Sequence, residues 1–509
     1  MMSTPSRRRP LAIQDCNSMG IPARFPHISL SVFVLGGLLC VTNPARAETA
    51  DFDVLEYRLS VSMTLEKKGV WAPLNTLSAT ARITFKNSSD APADRIPLVL
   101  HRLMRVESVS VGNGPSLEFS QHLAGIQDWD AYQANVVSVV LDEPLASGST
   151  HTLEITYGGG LRGVQESGML YVQDTLDPAF TILRAESSVY PHIAEPTRQS
   201  LLSAFRGGDG FDQLLDVTVP DGLVVASGHE LVDKVTTDGQ VTWTYRSEAP
   251  GFQIIVAIAP YEVIEVGKNR IFHFAEDSAG AERVAKGIGD AMALFEKWFG
   301  PLGDTQSFAV LEIPEWHGSQ ALRPTVLQEA TAFREAEGMG ELYHEISHFW
   351  NVDDPAPEAS RWNEGLATYL QALAEQELGG KEGLMRQEME GYRERMKQSL
   401  EENPEYRDVP LVLAGEKGLT SALSYRGGAL FFGLLHGKLG QEELHSILKD
   451  YYQQHYESGA TSEAFAEFLL TQAPEAQPIV DEWFLGSRYS ELLLEGLDFE
   501  ALLGRYGGE

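Results

Sequence analysis

The segment Tyr343–Trp350, with the sequence YHEISHFW, and the tetrapeptide Trp362–Gly365, with the sequence WNEG, decide how this chain is interpreted. On an α-helix of 3.6 residues per turn, His344 and His348 lie one above the other, so both imidazoles can reach one metal ion. A catalytic zinc site has three protein ligands and one open position, and a carboxylate is a suitable third ligand. Glu364 follows His348 after 15 intervening residues and can supply that carboxylate.

The segment between these two motifs predicts a helical hairpin. Pro355 and Pro357 should end the first helix, and a run rich in Ala, Leu, Glu and Gln over residues 358–378 predicts the second. The competing interpretation has two surface histidines and a solvated carboxylate. It is disfavoured because apolar residues flank the histidines, namely Leu342, Ile346, Phe349 and Trp350.

The first 47 residues predict a signal peptide. Arg7–Arg9 and Arg24 precede an apolar run, Ile28–Val41, and Ala45–Ala47 places small residues where a signal peptidase reads them. The apolar run has fourteen residues, whereas a membrane-spanning helix needs about 20. We therefore expect cleavage after Ala47 and a mature protein without a stable membrane span, exported to the periplasm or secreted.

The composition argues against several functional classes. The chain has 72 acidic and 39 basic residues, a net charge of −33, which disfavours binding to nucleic acid or to anionic lipid. Both cysteines, Cys16 and Cys40, lie in the predicted signal peptide, so we expect neither disulfides nor thiolate metal sites in the mature protein. The chain also lacks the Gly-x-Ser-x-Gly elbow of serine hydrolases.

The order of strand and helix patterns predicts a multidomain β + α protein. Short alternating or β-branched runs separated by Asn, Gly, Pro and Ser predict an antiparallel β sandwich or saddle domain over residues 48–266. Helical spacing then appears at Ala281–Phe299, followed by a strand at Phe308–Ile313, the metal hairpin and further helices. This order resembles a thermolysin-like α+β zinc peptidase domain over residues 267–487, followed by a short C-terminal tail, residues 488–509.

These motifs resemble those of the gluzincin zinc aminopeptidases, a family that includes membrane alanyl aminopeptidase and the bifunctional leukotriene hydrolase. His344–His348 and Trp362–Gly365 match the two halves of the family's zinc motif. Val189–Thr197 is similar to its aromatic-Pro…Glu-Pro stretch, and Ser424–Ala429 resembles its Tyr-x-Lys-Gly segment without the lysine. The resemblance covers most of the mature chain.

The resemblance implies a zinc-dependent metallopeptidase with one zinc ion per chain, a peptide as substrate and five site residues. His344, His348 and Glu364 would bind the metal, Glu345 would be the general base, and Tyr425 would stabilise the oxyanion. Zinc lowers the pKa of its bound water from about 15.7 toward 7, which lets a carboxylate remove a proton. A hydrogen bond to the developing oxyanion contributes roughly 3 to 4 kcal/mol.

The chain departs from the family in the loop that binds the free amino terminus of the substrate. The family has Gly-x-Met-Glu-Asn, whereas this chain has Gly318-Ser319-Gln320-Ala321, so Ala321 replaces the amine-binding glutamate. We predict that Gly318, Ser319 and Gln320 bind substrate. A neutral amide such as that of Gln320 gives up the charge-assisted part of the hydrogen bond, roughly half its strength. The acids that can substitute for the missing glutamate are Glu312, Glu315 and Glu329.

The sequence therefore leaves three functions to compare. The leading hypothesis is an exported zinc aminopeptidase, a divergent member of the family with an altered amine-binding loop. The missing glutamate keeps open an endopeptidase, or another zinc hydrolase with no free-amine requirement. A non-catalytic peptide-binding scaffold is the third hypothesis, disfavoured because ligands, base and tyrosine are all present.

Overall fold

The structure is a computed structural model that describes residues 52–67, 74–112, 114–206, 210–302, 307–354, 362–414 and 420–507. The described residues belong to one compact unit. The predicted signal peptide, residues 1–47, lies outside them. Within these residues, no helix has the length and apolar character that crossing a membrane requires.

The described residues contain nineteen strands, most of them in the first half of the chain. In chain order they are β1 (Phe52–Thr64), β2 (Thr76–Asn87), β3 (Ala93–His101), β4 (Met104–Val111), β5 (Phe119–Ile126), β6 (Trp129–Leu145), β7 (Thr150–Gly159), β8 (Thr181–Leu183), β9 (His192–Ile193), β10 (Asp212–Pro220), β11 (Val224–Ala226), β12 (Glu230–Thr237), β13 (Gln240–Arg246), β14 (Val256–Ala259), β15 (Glu262–Val266), β16 (Asn269–His273), β17 (Ala309–Ile313), β18 (Gln320–Leu322) and β19 (Thr325–Glu329).

Three sheets build the N-terminal β region. Their strand orders are β12-β13-β10-β1-β2-β7-β4, β5-β6-β3-β9 and β11-β14-β8. Strand β1 shows why the sequence forms such a layer, because Tyr57, Leu59, Val61 and Met63 are buried while the residues between them are exposed. This period of two places one face of the strand in the core and leaves the other in solvent.

The helices follow in the second half of the chain, apart from the first. They are α1 (Arg198–Arg206), α2 (Ser278–Phe299), α3 (Thr331–Arg334), α4 (Met339–Ser347), α5 (Trp362–Gly379), α6 (Leu384–Glu402), α7 (Gly428–Leu439), α8 (Gln441–His455), α9 (Ser462–Gln472), α10 (Gln477–Ile479), α11 (Tyr489–Leu494) and α12 (Phe499–Arg505). A π-helical segment, Thr420–Gly427, leads directly into α7.

A five-stranded sheet of order β15-β16-β17-β19-β18 supports these helices. Strands β16, β17 and β19 are parallel, and β18 lies at the edge, antiparallel to β19. Helix α2 packs on this sheet through its buried stripe, which includes Val284, Ile288 and Phe295. The predicted fold class, a β domain followed by an α+β domain, is confirmed.

Both predicted ends of the second domain lie within packed secondary structure. The predicted boundary at residues 266 and 267 falls inside a hairpin, because β15 pairs with β16 in the five-stranded sheet. The segment predicted as a tail contains α11 and α12, and their apolar residues are buried in the same core as the other helices. The last turns of the described chain are therefore part of the packed structure.

Candidate metal centre

Three side chains from the two motifs meet at one point. His344 lies on α4, His348 begins the 3₁₀ turn His348–Trp350 that ends this helix, and Glu364 lies in the first turn of α5. The Nε2 atoms of His344 and His348 are each 3.4 Å from Oε2 of Glu364. All three ligand atoms lie within 4.8 Å of one another.

This donor set fits zinc. Zinc–nitrogen and zinc–oxygen bonds of roughly 2.0 to 2.1 Å in a tetrahedral arrangement place neighbouring ligand atoms about 3.4 Å apart. The spacing from Oε2 of Glu364 to each imidazole nitrogen has this value. Two imidazoles and one carboxylate are also a ligand set found in catalytic zinc sites, where a fourth position stays open.

A glycine contact determines how closely the helix that carries Glu364 approaches its neighbour. A Cβ atom on Gly365 would lie 2.5 Å from Cα of Gly428 and 2.6 Å from the carbonyl oxygen of Ser424. No side chain fits between the two backbones at this point. Glycine at position 365 therefore lets α5 lie against the segment that carries Tyr425.

The side chain of Asn351 supports the second histidine. Its amide lies 2.6 Å from Nδ1 of His348. When Nε2 of His348 faces a metal, its Nδ1 carries a proton. Rotating the Asn351 amide by 180° presents the amide oxygen, which can accept a hydrogen bond from that N–H. Asn351 is a site residue that the sequence patterns did not single out.

Glu345 lies beside the ligands and is buried, with 7% of its surface exposed. Burial raises the pKa of its carboxyl group to about 8, and the charges of Glu364 and Glu341 act in the same direction. His348 and a hydrogen bond from the backbone N–H of Ala321 oppose this rise in pKa. The Ala321 contact joins the edge strand β18 to the predicted general base.

Tyr425 lies next to the first histidine. Its ring is parallel to the His344 imidazole, with an interplanar angle of 4° and a centroid distance of 5.9 Å. It sits in the π-helical segment Thr420–Gly427, a type of distortion that is frequent at functional sites. The structure thus brings all five residues of the predicted centre together.

The predicted substrate loop leads into β18. Gly318 has a φ of +78°, and its N–H donates to Oε1 of Glu329 at 2.8 Å. The Ser319 hydroxyl accepts from the N–H of Glu329 at 3.0 Å and also hydrogen-bonds Glu341 on α4. Gln320 begins the edge strand. Gly318 and Ser319 are therefore engaged in holding the loop against β19 and the metal helix.

A carboxylate from the N-terminal β region lies beside Gln320. Nε2 of Gln320 donates to Oε1 of Glu186 at 3.4 Å, and Glu186 is only 6% exposed. Among the described residues, Oε2 of Glu186 and Oε1 of Gln320 are buried oxygens without a hydrogen-bond partner. Buried acceptors usually have a partner, so this pair is suited to a donor from outside the chain. No sequence pattern indicates Glu186, which lies 134 residues before Gln320.

The three acids proposed to replace the missing glutamate have other partners. Glu315 is 3.0 Å from Arg334, and Glu329 accepts from Gly318. Glu312 is fully buried and accepts from the N–H of Phe274 at 2.7 Å. Burial raises the pKa of Glu312 to about 9. Glu186, rather than any of these, is the carboxylate that contacts Gln320.

No family profile matches this chain, but solved structures share its fold. The M1 zinc metallopeptidase from Deinococcus radiodurans is 20% identical with a TM-score of 0.61, covering 85% of this chain and 94% of its own. A mutant of that enzyme bound to a Tyr-Ser-Ala substrate is also 20% identical, with a TM-score of 0.60 and coverage of 85% and 94%. A two-domain M1 zinc metallopeptidase mutant bound to L-arginine is 20% identical, with a TM-score of 0.59 and coverage of 88% and 95%. The chain thus has the fold of the M1 zinc metallopeptidases.

Proposed function

We propose that this protein is an exported zinc-dependent aminopeptidase with Glu345 as general base. The observation that carries the proposal is the spacing of His344, His348 and Glu364, which fits zinc, next to a buried carboxylate and a tyrosine. The solved structures with the same fold are zinc metallopeptidases, one of them with a tripeptide substrate.

The chemistry follows from the side chains that surround the metal position. A zinc ion held by His344, His348 and Glu364 would supply Lewis acidity to a water molecule and to a substrate carbonyl. The Glu345 carboxylate takes a proton from the attacking water and later delivers it to the leaving amine. The Tyr425 phenol donates a hydrogen bond to the carbonyl oxygen as negative charge develops there.

The preference for a free amino terminus is supported by the buried oxygens of Glu186 and Gln320. An ammonium group has three donors, and here two side chains in hydrogen-bond contact each have a buried oxygen without a partner in the described chain. The Glu186 carboxylate restores the charge that Ala321 cannot supply. Glu186 lies in a 3₁₀ turn, residues 185–187, that precedes β9. It is therefore not part of the loop before the metal helix.

The test measures cleavage by the zinc-loaded protein of two peptides that differ only in having a free or an acetylated amino terminus. We expect cleavage of the free-amine peptide only, and no cleavage with Glu345→Gln that retains zinc. Equal cleavage of both peptides would replace the aminopeptidase assignment by the endopeptidase alternative. Cleavage of neither would overturn the peptidase assignment.

Two further variants test the amine contact. Glu186→Gln should raise KM for the free-amine peptide about tenfold, because the charge-assisted part of the contact is lost. Its matched control is Glu107→Gln, since Glu107 is an exposed glutamate on β4 of the same β region. An unchanged KM in Glu186→Gln would contradict the role proposed for Glu186.

A further inference from the structure

Trp316 combines two unfavourable features at the start of the substrate loop. Its side chain is 74% exposed, the largest exposed fraction among the large apolar residues of the described chain. Its φ is +69°, in the left-handed region that bulky residues rarely adopt. A residue that stays in such a conformation is held there by its surroundings, and such residues cluster at ligand-binding sites.

The backbone around Trp316 is held by side chains of the N-terminal β region. Nε2 of Gln173 donates to the carbonyl oxygen of Trp316 at 2.6 Å, and Nη1 of Arg184 donates to that of His317 at 3.0 Å. Arg184 is fully buried and binds Asp174 through two hydrogen bonds of 3.1 and 2.7 Å. The β region therefore fixes the backbone while the indole itself remains in solvent.

Trp316 lies close in sequence to a residue that contacts the proposed general base. Five residues further on, the N–H of Ala321 donates to Glu345. Strand β18 pairs only with β19 among the described strands, so its other edge is open to an extended peptide. Residues 315–317 form a turn, and Trp316 lies four positions before Gln320, the first residue of β18. A peptide extended along β18 and past Gln320 would therefore approach the indole beyond the residues that flank the scissile bond.

We propose that the Trp316 indole binds an apolar side chain of the peptide substrate beyond the residues that flank the scissile bond. This makes Trp316 a specificity-determining residue for peptides and leaves single amino-acid amides unaffected. The inference rests on the proposed peptidase function, and for an aminopeptidase the side chain lies on the C-terminal side of the scissile bond. Indoles suit this role because they offer a large, rigid contact surface with few rotamers.

The kinetic test compares a short substrate with two long ones. The short substrate is an amino-acid amide with a chromogenic leaving group, and the long ones are hexapeptides with Phe or Ser at positions 4 and 5. Trp316→Ala should raise KM for the Phe hexapeptide roughly tenfold, with kcat unchanged and no effect on the amide. Trp316→Phe should retain most of the affinity. Leu123→Ala, at another exposed apolar residue, is the control and should change nothing.

A binding measurement separates this inference from the proposed function. Calorimetry with the Phe hexapeptide on the zinc-loaded Glu345→Gln protein, with and without Trp316→Ala, does not depend on turnover. Weaker binding in the double variant supports peptide binding by the Trp316 indole, whether or not the wild type cleaves the peptide. Absence of cleavage by the wild type would overturn the proposed function but not this inference. Equal binding in both proteins, or an equal KM change for the amide and the hexapeptide, would overturn the inference.

Discussion

The phenol ring of Tyr425 lies parallel to the imidazole of His344, 5.9 Å from centroid to centroid. The two residues are 81 positions apart in the sequence. The contact of Gly365 with Ser424 and Gly428 places the segment of Tyr425 against α5, the helix that carries the ligand Glu364. The tyrosine therefore occupies one wall of the metal centre.

Replacing the phenol should impair turnover more than binding. We expect Tyr425→Phe to lower kcat roughly 100- to 1000-fold with little change in KM, because the lost hydrogen bond forms in the transition state. Steady-state kinetics on a free-amine peptide measures both constants, and metal analysis should find zinc retained. An unchanged kcat would remove Tyr425 from the mechanism.

Removing the third ligand should release the metal. Glu364→Gln replaces a carboxylate by a weaker neutral ligand, so we expect zinc loss on dialysis and a lower melting temperature. At a free zinc concentration about 1,000 times the Kd, the bound metal stabilises the native protein by about 4 kcal/mol. Glu377→Gln, an exposed position on the same helix, is the control. Full zinc occupancy in Glu364→Gln would contradict the ligand assignment.

The buried carboxyl group of Glu312 should make stability depend on pH. Burial, with a contribution from Asp277, raises its pKa to about 9 in the native protein, well above its value in an unfolded chain. At pH values between the unfolded and the native pKa, Glu312 is more protonated in the native state than in the unfolded state. The free energy of unfolding therefore falls as pH rises toward 9, by at most roughly 1.4 kcal/mol per pH unit.

Glu312→Gln removes this titration and should flatten the pH dependence. Urea unfolding at pH 6 and pH 8.5 gives the two stabilities, and the wild type should lose more than the variant between them. Glu107→Gln serves as the exposed control. The same pH slope in wild type and Glu312→Gln would show that Glu312 is already ionised in the native protein.

A methyl group at position 365 should disturb both packing and activity. Gly365→Ala places a Cβ atom within 2.6 Å of the backbone of Ser424 and Gly428, and we expect a loss of roughly 2 to 3 kcal/mol. Gly289→Ala on α2 meets nothing within 4 Å and should stabilise the protein by roughly 0.5 to 1 kcal/mol. Denaturant unfolding of both variants makes the comparison, and a neutral Gly365→Ala would show that the helices separate easily.

Local patterns were sufficient to predict much of the metal centre. The one-turn spacing of His344 and His348 and the following Glu-Gly pair are encoded within 22 consecutive residues, so helix geometry alone brings them together. Alternating burial in β1 and the apolar stripe of α2 likewise follow from their periods of two and 3.6. These features depend on neighbours in the sequence.

The remaining site features depend on partners distant in the chain. Glu186 reaches Gln320 only because the β region packs against the edge of the five-stranded sheet, and no spacing rule connects residues 134 positions apart. The left-handed backbone of Trp316 also has no local signal, since it is imposed through Gln173 and Arg184.

The glycine contact between α5 and α7 also has a mechanical consequence. Where two helices meet backbone to backbone, no rotatable side chain lies between them to absorb a displacement, so the backbones that carry Glu364 and Tyr425 have little freedom to move apart or together. The opposite side of the cleft, strand β18, is joined to α4 through single hydrogen bonds at Ala321 and Ser319. We therefore expect β18, rather than the helices, to shift when substrates of different bulk bind.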